Sequence, residues 1–282
     1  MRILLQCTIP YSPDDWHVGR FSLLADELRK AGDVVARNLE PNATGDDPVL
    51  SGLGRADFDE VWLLGVDSGR ALSPSDVAGV NAFMRAGGGV LTTRDHQDMG
   101  MWLRQLDDVG VAHFFHAAEY NEADPARCSP DDVENAAISW PNYHSGHNGD
   151  FQRIEAVEPL HPLLVRSNGA RIELFPAHPH EGAVDVPARQ RRARAVARGR
   201  STVTGRAFTL IVAFDRAPGS PGRAIAESSF HHFADYNWDL SRGAPTFVTD
   251  APGDGMTREP RAVDDIRAYV VNAARWLTTS AS

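Results

Sequence analysis

The chain has 282 residues, 42% hydrophobic and 23% charged, the balance of a globular protein long enough to bury a core of its own. Its 28 basic and 38 acidic side chains leave a net charge of -10, which supplies no basic footprint for a nucleic acid. No apolar run approaches the roughly 20 residues of a membrane span, and Met1 to Cys7 lacks a secretory pattern, so a cytoplasmic protein is expected.

Arg2 to Cys7, RILLQC, reads as a compact apolar strand. A polar loop follows, then FSLLADELRKAG has helical spacing with Gly32 as its stop, and Asp33 to Leu39 reads as a second strand. After a Pro-, Gly- and Asp-rich loop, Phe58 to Val66 reads as a third, fully buried strand ending in Asp67-Ser68-Gly69. LSPSDVAGVNAFMRAG then offers Ser73 as an N-cap before Pro74, with apolar Val77, Val80, Phe83 and Met84 on one helical face. Strands alternating with helices of this length imply a parallel sheet with right-handed crossovers.

The stretch from Gly87 to Gly100, GGGVLTTRDHQDMG, reads as a turn, a buried strand and an abrupt helix start over QDMGMWLRQL. Arg94, Asp95 and His96 fall just past that strand's carboxyl end, where ligands bind in doubly wound sheets. Asp95 is also placed to cap the helix that follows.

From about residue 111 to 158 the pattern weakens, and an insertion over the sheet's carboxyl edge is expected. Past Pro159, ARIELFPA, RARAVARG, FTLIVAFD and GRAIAESSF read as strands of the sheet's second half, some antiparallel. The basic cluster Arg189 to Arg200 reads as a solvated loop and strand. Val263 to Leu277 closes the chain as an amphipathic helix. One domain over 1–282 is expected.

Several of these segments, taken together, resemble the ThuA-like (trehalose-utilisation type) members of the class I glutamine amidotransferase-like superfamily. FMRAGGGVL is similar to the family's F-x-x-x-GGG approach to its elbow, EPLHPLL to its N-HPI segment, and GRAIAESSFHHFADYNW to its GRVFYTSLGH strand, with His231 at the terminal His position. His96-Gln97 match the end of the amidotransferase signature GxCxGHQ, but the position of its nucleophilic Cys falls on Thr93 or Arg94. The terminal His of true amidotransferases stands in His-Pro-Glu, where this chain has His231-His232-Phe233. The resemblance implies a flavodoxin-like three-layer fold, a pocket at the elbow with His231 beside it, and no carry-over of the Cys-His-Glu triad or of glutaminase activity.

Six of the eleven histidines lie in tight groups: His144 and His147, His178 and His180, His231 and His232. Imidazoles near carboxylates suit Zn or another divalent metal, and His178, His180 and His232 are the candidate ligands. Asp95, His96, Glu181 and His231 are the candidate acid-base residues, since an imidazole oriented by a carboxylate can activate water near neutral pH. Neighbouring residues on a strand face opposite ways, so His231 rather than His232 is expected in the pocket.

Cys7, Asp67, Arg94, Tyr143 and Asn237 are candidate substrate-binding groups. Cys7 is weighed as a nucleophile and read in preference as a small core residue; Thr93, Ser228 and Ser229 lack a Gly-x-Ser-x-Gly elbow. Cys7 and Cys128 form neither a disulfide framework nor a zinc cluster. Aromatic residues beside these groups, including Trp16, Trp140 and Phe230, suit a pocket for a small organic or sugar-like ligand, or else pack loops on the sheet. A hydrolase or lyase for a small molecule, with no nucleotide cofactor and a homo-oligomer allowed, is the expected function. A ligand-binding or scaffold domain that lost the triad is the alternative.

Overall fold

In the computed structural model, residues 1–69, 71–113, 138, 141–186 and 189–278 are described. Cys128, Trp140 and much of the expected insertion lie outside them. The strands are β1 (Arg2–Cys7), β2 (Asp33–Arg37), β3 (Glu60–Leu64), β4 (Gly89–Thr93), β5 (Phe151–Arg153), β6 (Glu155–Ala156), β7 (Leu174–Pro176), β8 (Ala193–Arg200), β9 (Ala207–Phe214) and β10 (Ala224–Glu227). The α-helices are α1 (Ser22–Arg29), α2 (Pro48–Ser51), α3 (Pro74–Arg85), α4 (Asp235–Trp238), α5 (Gly255–Arg258) and α6 (Pro260–Thr278).

Eight strands make one sheet in the order β2-β1-β3-β4-β10-β9-β8-β6. The first five are parallel, and β9, β8 and β6 each run antiparallel to the strand before them in that order. The parallel strands finish together: Cys7 pairs with Leu64, Leu64 with Thr93, and Thr93 with Glu227. Every loop leaving that edge therefore starts from the same level.

The sheet is covered on both faces, which gives three layers. Along β1, Ile3, Leu5 and Cys7 enter the core shared with α1 and α6, whereas Leu4 enters the core shared with α2 and α3. Apolar residues fill both sides of β1, β3 and β4 because helices cover both. This is the mainly parallel sheet expected from the alternation of apolar runs, in the flavodoxin-like three-layer arrangement that the resemblance implies. Among the described residues, no helix is long and apolar enough to cross a membrane.

Helix starts follow local chemistry. Ser73 and Asp76 form a reciprocal capping box at α3, with Pro74 at its first position. No cap comes from Phe21 at the start of α1; Asp235 supplies it from α4, accepting from Ser22 N at 3.0 Å and Leu23 N at 2.8 Å.

Four expectations are corrected. The third strand stops at Leu64, because Val66 N turns to Thr8 Oγ1 (3.1 Å) and leaves the ladder. ARIELFPA is not in the large sheet: β7 pairs with β5 in a separate two-stranded sheet, while Glu173 N and Leu174 N donate to Asp265 of α6. The helix after the elbow is a short 3-10 turn, Met101–Gln105, entered through left-handed Gly100 (φ 61°). A Cβ on Gly100 would stand 2.9 Å from Gly65 O, so the close approach of these two loops requires glycine there. GRAIAESSF leaves the strand at Glu227, and Ser229 caps a 3-10 turn over Phe230–His232.

Candidate functional site

Loops after β1, β3, β4, β7 and β10 surround a cavity of ≈ 690 Å³ at the carboxyl edge. Trp16, Phe230 and Phe247 make an aromatic wall, and Asp67, Asp95, His96, His178, His180, His231 and Asp250 bring polar groups into it. Open α/β sheets bind ligands at this edge because the strand order reverses direction there. The reversal lies at β1 and β3, whose end loops hold Trp16 and Asp67.

The centre of the cavity is Asp95. It is fully buried and neither of its carboxylate oxygens has a hydrogen-bond partner, so it does not cap the turn after the elbow. Its Oδ2 lies 3.4 Å from His178 Nε2, 3.5 Å from His231 Nε2 and 3.5 Å from His96 Nε2. Asp95, His178 and His231 offer three ligand atoms within 4.8 Å of one another. Ligands held about 2.0–2.1 Å from a tetrahedral zinc stand about 3.3–3.4 Å apart. The observed spacings are long for hydrogen bonds and close to that edge length.

His178 is presented as a ligand. His178 Nδ1 lies 2.9 Å from Asn148 Oδ1, an acceptor, so Nδ1 carries the hydrogen and the Nε2 lone pair faces Asp95. The His178 and His231 rings stack at 3.5 Å with 13° between planes. Burial pushes both well below the ordinary histidine value; neighbouring imidazoles push the same way, and Asp95 only partly opposes this at His231. Both rings are therefore neutral at pH 7, as metal ligands must be.

The turn carrying His231 is held from behind. Asn237 Nδ2 donates to His231 O (2.8 Å) and Trp238 Nε1 to His232 O (2.7 Å), so α4 fixes both carbonyls. Asn237 thus sits under the site rather than in it.

His180 lines the cavity beside this cluster, with Nε2 3.4 Å from Asp250 Oδ2 and its ring near His178 and His96. Asp67 lines it too, yet its carboxylate accepts from Thr8 Oγ1 (2.6 Å) and Trp102 Nε1 (2.8 Å); burial raises its pKa. Arg94 is buried beneath the elbow, where Nη2 donates to Gln97 O (2.7 Å) and burial brings its pKa down to about 9.

His232 and Glu181 lie elsewhere. His232 follows His231 on a turn and points into the core, with Nε2 2.8 Å from Glu181 Oε1 and Nδ1 3.3 Å from Glu227 Oε2. Burial alone would lower His232, but the two carboxylates hold it up at about 10. Glu181 is further held by Ser145 Oγ at 2.5 Å and Gln152 Nε2 at 2.8 Å. These groups do not line the cavity; His232 pairs with both carboxylates, as burial of charge requires, while Glu227 Oε1 is left without a hydrogen-bond partner.

Tyr143 stacks on Phe208 at a different, smaller cavity. Cys7 is buried in the core, with burial pushing its thiol well up. Thr93, Ser228 and Ser229 are buried, and Ser229 Oγ caps the His231 turn. His144 pairs with Thr202 outside the cavity.

Asn148 and Asp250 were not singled out from the sequence. Asn148 stands in YHSGHNGD among the histidines, a position that could have drawn attention; nothing local marks Asp250 in FVTDAPG.

No family model matches the chain, and no curated protein matches it. Among solved structures, a protein described as ThuA-like from Parabacteroides merdae ATCC 43184 is similar over 99% of this chain and 90% of its own, at 12% identity and a TM-score of 0.51. A second, from Bacteroides uniformis ATCC 8492, covers 98% of this chain and 91% of its own, at 9% identity and a TM-score of 0.49. The glutaminase domain of Trypanosoma brucei CTPS covers 100% of this chain and 98% of its own, at 13% identity and a TM-score of 0.42. The Parabacteroides likeness shows the fold alone; what the chain does has to be read from its own side chains.

Proposed function

We propose that this chain is a small-molecule hydrolase or lyase acting at the carboxyl-edge cavity, with a divalent metal held by Asp95, His178 and His231, and without glutaminase activity. The observation that carries this reading is the convergence of two neutral imidazoles, through their Nε2 atoms, on Asp95 Oδ2 at 3.4 and 3.5 Å, the carboxylate having no hydrogen-bond partner. The His178 lone pair facing this carboxylate repels it unless a proton or a cation stands between them. A donor set of two imidazoles and one carboxylate suits zinc and similar ions.

A bound divalent ion would polarise a substrate oxygen or lower the pKa of a water. The chain's own residues supply the rest. His180, with Asp250 beside it, and His96, beside Asp95, are the groups that would take up or release a proton. Trp16, Phe230 and Phe247 line one side with apolar surface, which keeps water from part of the cavity. Glutamine hydrolysis needs an exposed thiolate. Thr93 or Arg94 stands at the elbow, and Cys7 is a buried, protonated thiol.

The test is metal content of the purified protein by mass spectrometry, for wild type, His178→Ala, His231→Ala and His232→Gln. One equivalent retained by wild type and by His232→Gln, and lost from the other two, is expected. Equal metal in all four, or none after incubation with zinc, manganese or cobalt, would overturn the reading.

A further inference from the structure

The stretch from His144 to Asp150 folds against the end of β7 and holds His178 by its amide, its carbonyl and its ring. Ser145 N donates to His178 O (3.1 Å), Ser145 Oγ accepts from His178 N (2.9 Å), and Asn148 Oδ1 lies 2.9 Å from His178 Nδ1. The loop is pinned on its far side as well, where Gly253 N donates to Asn148 O (2.8 Å) and Met256 N to Gly149 O (2.9 Å). Gly149, at φ 81°, permits that approach, since a Cβ there would stand 2.9 Å from Gly253 O.

Building on the metal site proposed above, we infer that Asn148 is its positioning residue: the side-chain carbonyl keeps the ring hydrogen of His178 on Nδ1, so that the Nε2 lone pair faces Asp95 and a cation can join the two.

A neutral imidazole has one hydrogen to place on either of two nitrogens. Asp95 alone would draw it to Nε2, because its carboxylate is 3.4 Å away and has no hydrogen-bond partner, and hydrogen bonds to charged groups are the stronger ones. Asn148 opposes this: with the hydrogen on Nε2, the lone pairs of Nδ1 and Oδ1 would meet at 2.9 Å. The second partner of a histidine ligand commonly sets its tautomer and ring orientation in this way.

The other end of the amide separates this role from packing. Asn148 is 1% exposed, and its Nδ2 has no hydrogen-bond partner. A buried donor left unpaired costs stability, so an asparagine kept for folding alone is expected to pair both ends. This one pairs the end that faces the imidazole. His178 Nε2 is likewise buried without a hydrogen-bond partner, on the side where the cation would stand.

The experiment compares wild type, Asn148→Leu and Asn148→Asp. Imidazole nitrogen shifts in NMR spectra of histidine-labelled protein, taken in a chelator, locate the hydrogen, with His178→Gln to assign the ring. Zinc affinity, by competition with a chromophoric chelator, and melting without metal are measured beside them. In wild type the hydrogen should be on Nδ1. In Asn148→Leu it should move to Nε2, where Asp95 accepts it, and zinc should bind about 10–100-fold more weakly. Asn148→Asp keeps an acceptor at the same place, so Nδ1 should keep its hydrogen and zinc should bind at least as tightly as to wild type. A wild type with the hydrogen on Nε2 would overturn the assignment. So would Asn148→Leu with the hydrogen still on Nδ1, or Asn148→Asp behaving as Asn148→Leu does. A lowered melting temperature without a change of tautomer would make Asn148 a structural residue only. The spectra are read without metal, so a wild type that took up no zinc would remove the metal reading and leave the tautomers to decide the role of Asn148.

Discussion

Asp95→Asn separates a functional carboxylate from a structural one. The wild-type side chain is fully buried, accepts no hydrogen bond, and faces two imidazoles that burial keeps neutral. An unsatisfied buried polar group costs about 1–3 kcal/mol, and more when charged. Asparagine has the same shape, removes the charge, and offers an N–H to His178 Nε2, now 3.4 Å away. In a chelator the variant should therefore be more stable than wild type by about 1–3 kcal/mol, or roughly 2–5 °C in Tm at the scale of a large domain. With excess zinc the order should reverse. A ligand at a hundredfold its Kd stabilises by about 2.7 kcal/mol, and the variant loses a charged ligand. Urea melts with and without chelator read both quantities. A variant less stable than wild type in the chelator would mean that Asp95 has a structural partner and would refute the reasoning.

Asp235→Ala should destabilise the protein by about 2 kcal/mol, because it removes the remote cap of α1; chemical denaturation that left the midpoint unchanged would contradict that. His232→Leu should cost about 3–5 kcal/mol, since it strands Glu181 and Glu227 as buried charges, and a neutral effect in the same melts would show that the network does not matter for folding. Acid should weaken the fold through His113 and His161, both depressed by burial. The unfolded state takes up protons near 6.5 and the folded His161 only near 4, so stability is full above 6.5 and falls as pH drops through that window. The slope is about 1.4 kcal/mol per pH unit for each such group, and a flat profile from pH 7 to pH 4.5 would count against it.

The parallel half of the fold is legible because β1, β3 and β4 are uninterrupted apolar runs ended by polar residues, and their burial on both faces leaves little else for them to be. IELF carries the same local signal, yet Asp265, almost a hundred residues away, takes two of its backbone donors. No window on the sequence contains that partner. In the site, Asp95 follows from its place after β4, and His231 from its place after β10. His232 and Glu181 mislead because clustering in sequence does not say which way a turn aims its side chains. The choice of His231 over His232 agrees with the structure for a reason other than strand alternation: both lie on a 3-10 turn. Asp250 is beyond sequence reasoning, as it meets His180 only where the chain folds back over the cavity.

Crystals grown with zinc and measured at its absorption edge test the central claim most directly. The account predicts one anomalous peak about 2.0–2.2 Å from Asp95 Oδ2 and from the Nε2 atoms of both His178 and His231. A peak at other histidines, such as His144 and His147, or no peak inside the carboxyl-edge cavity, would contradict it.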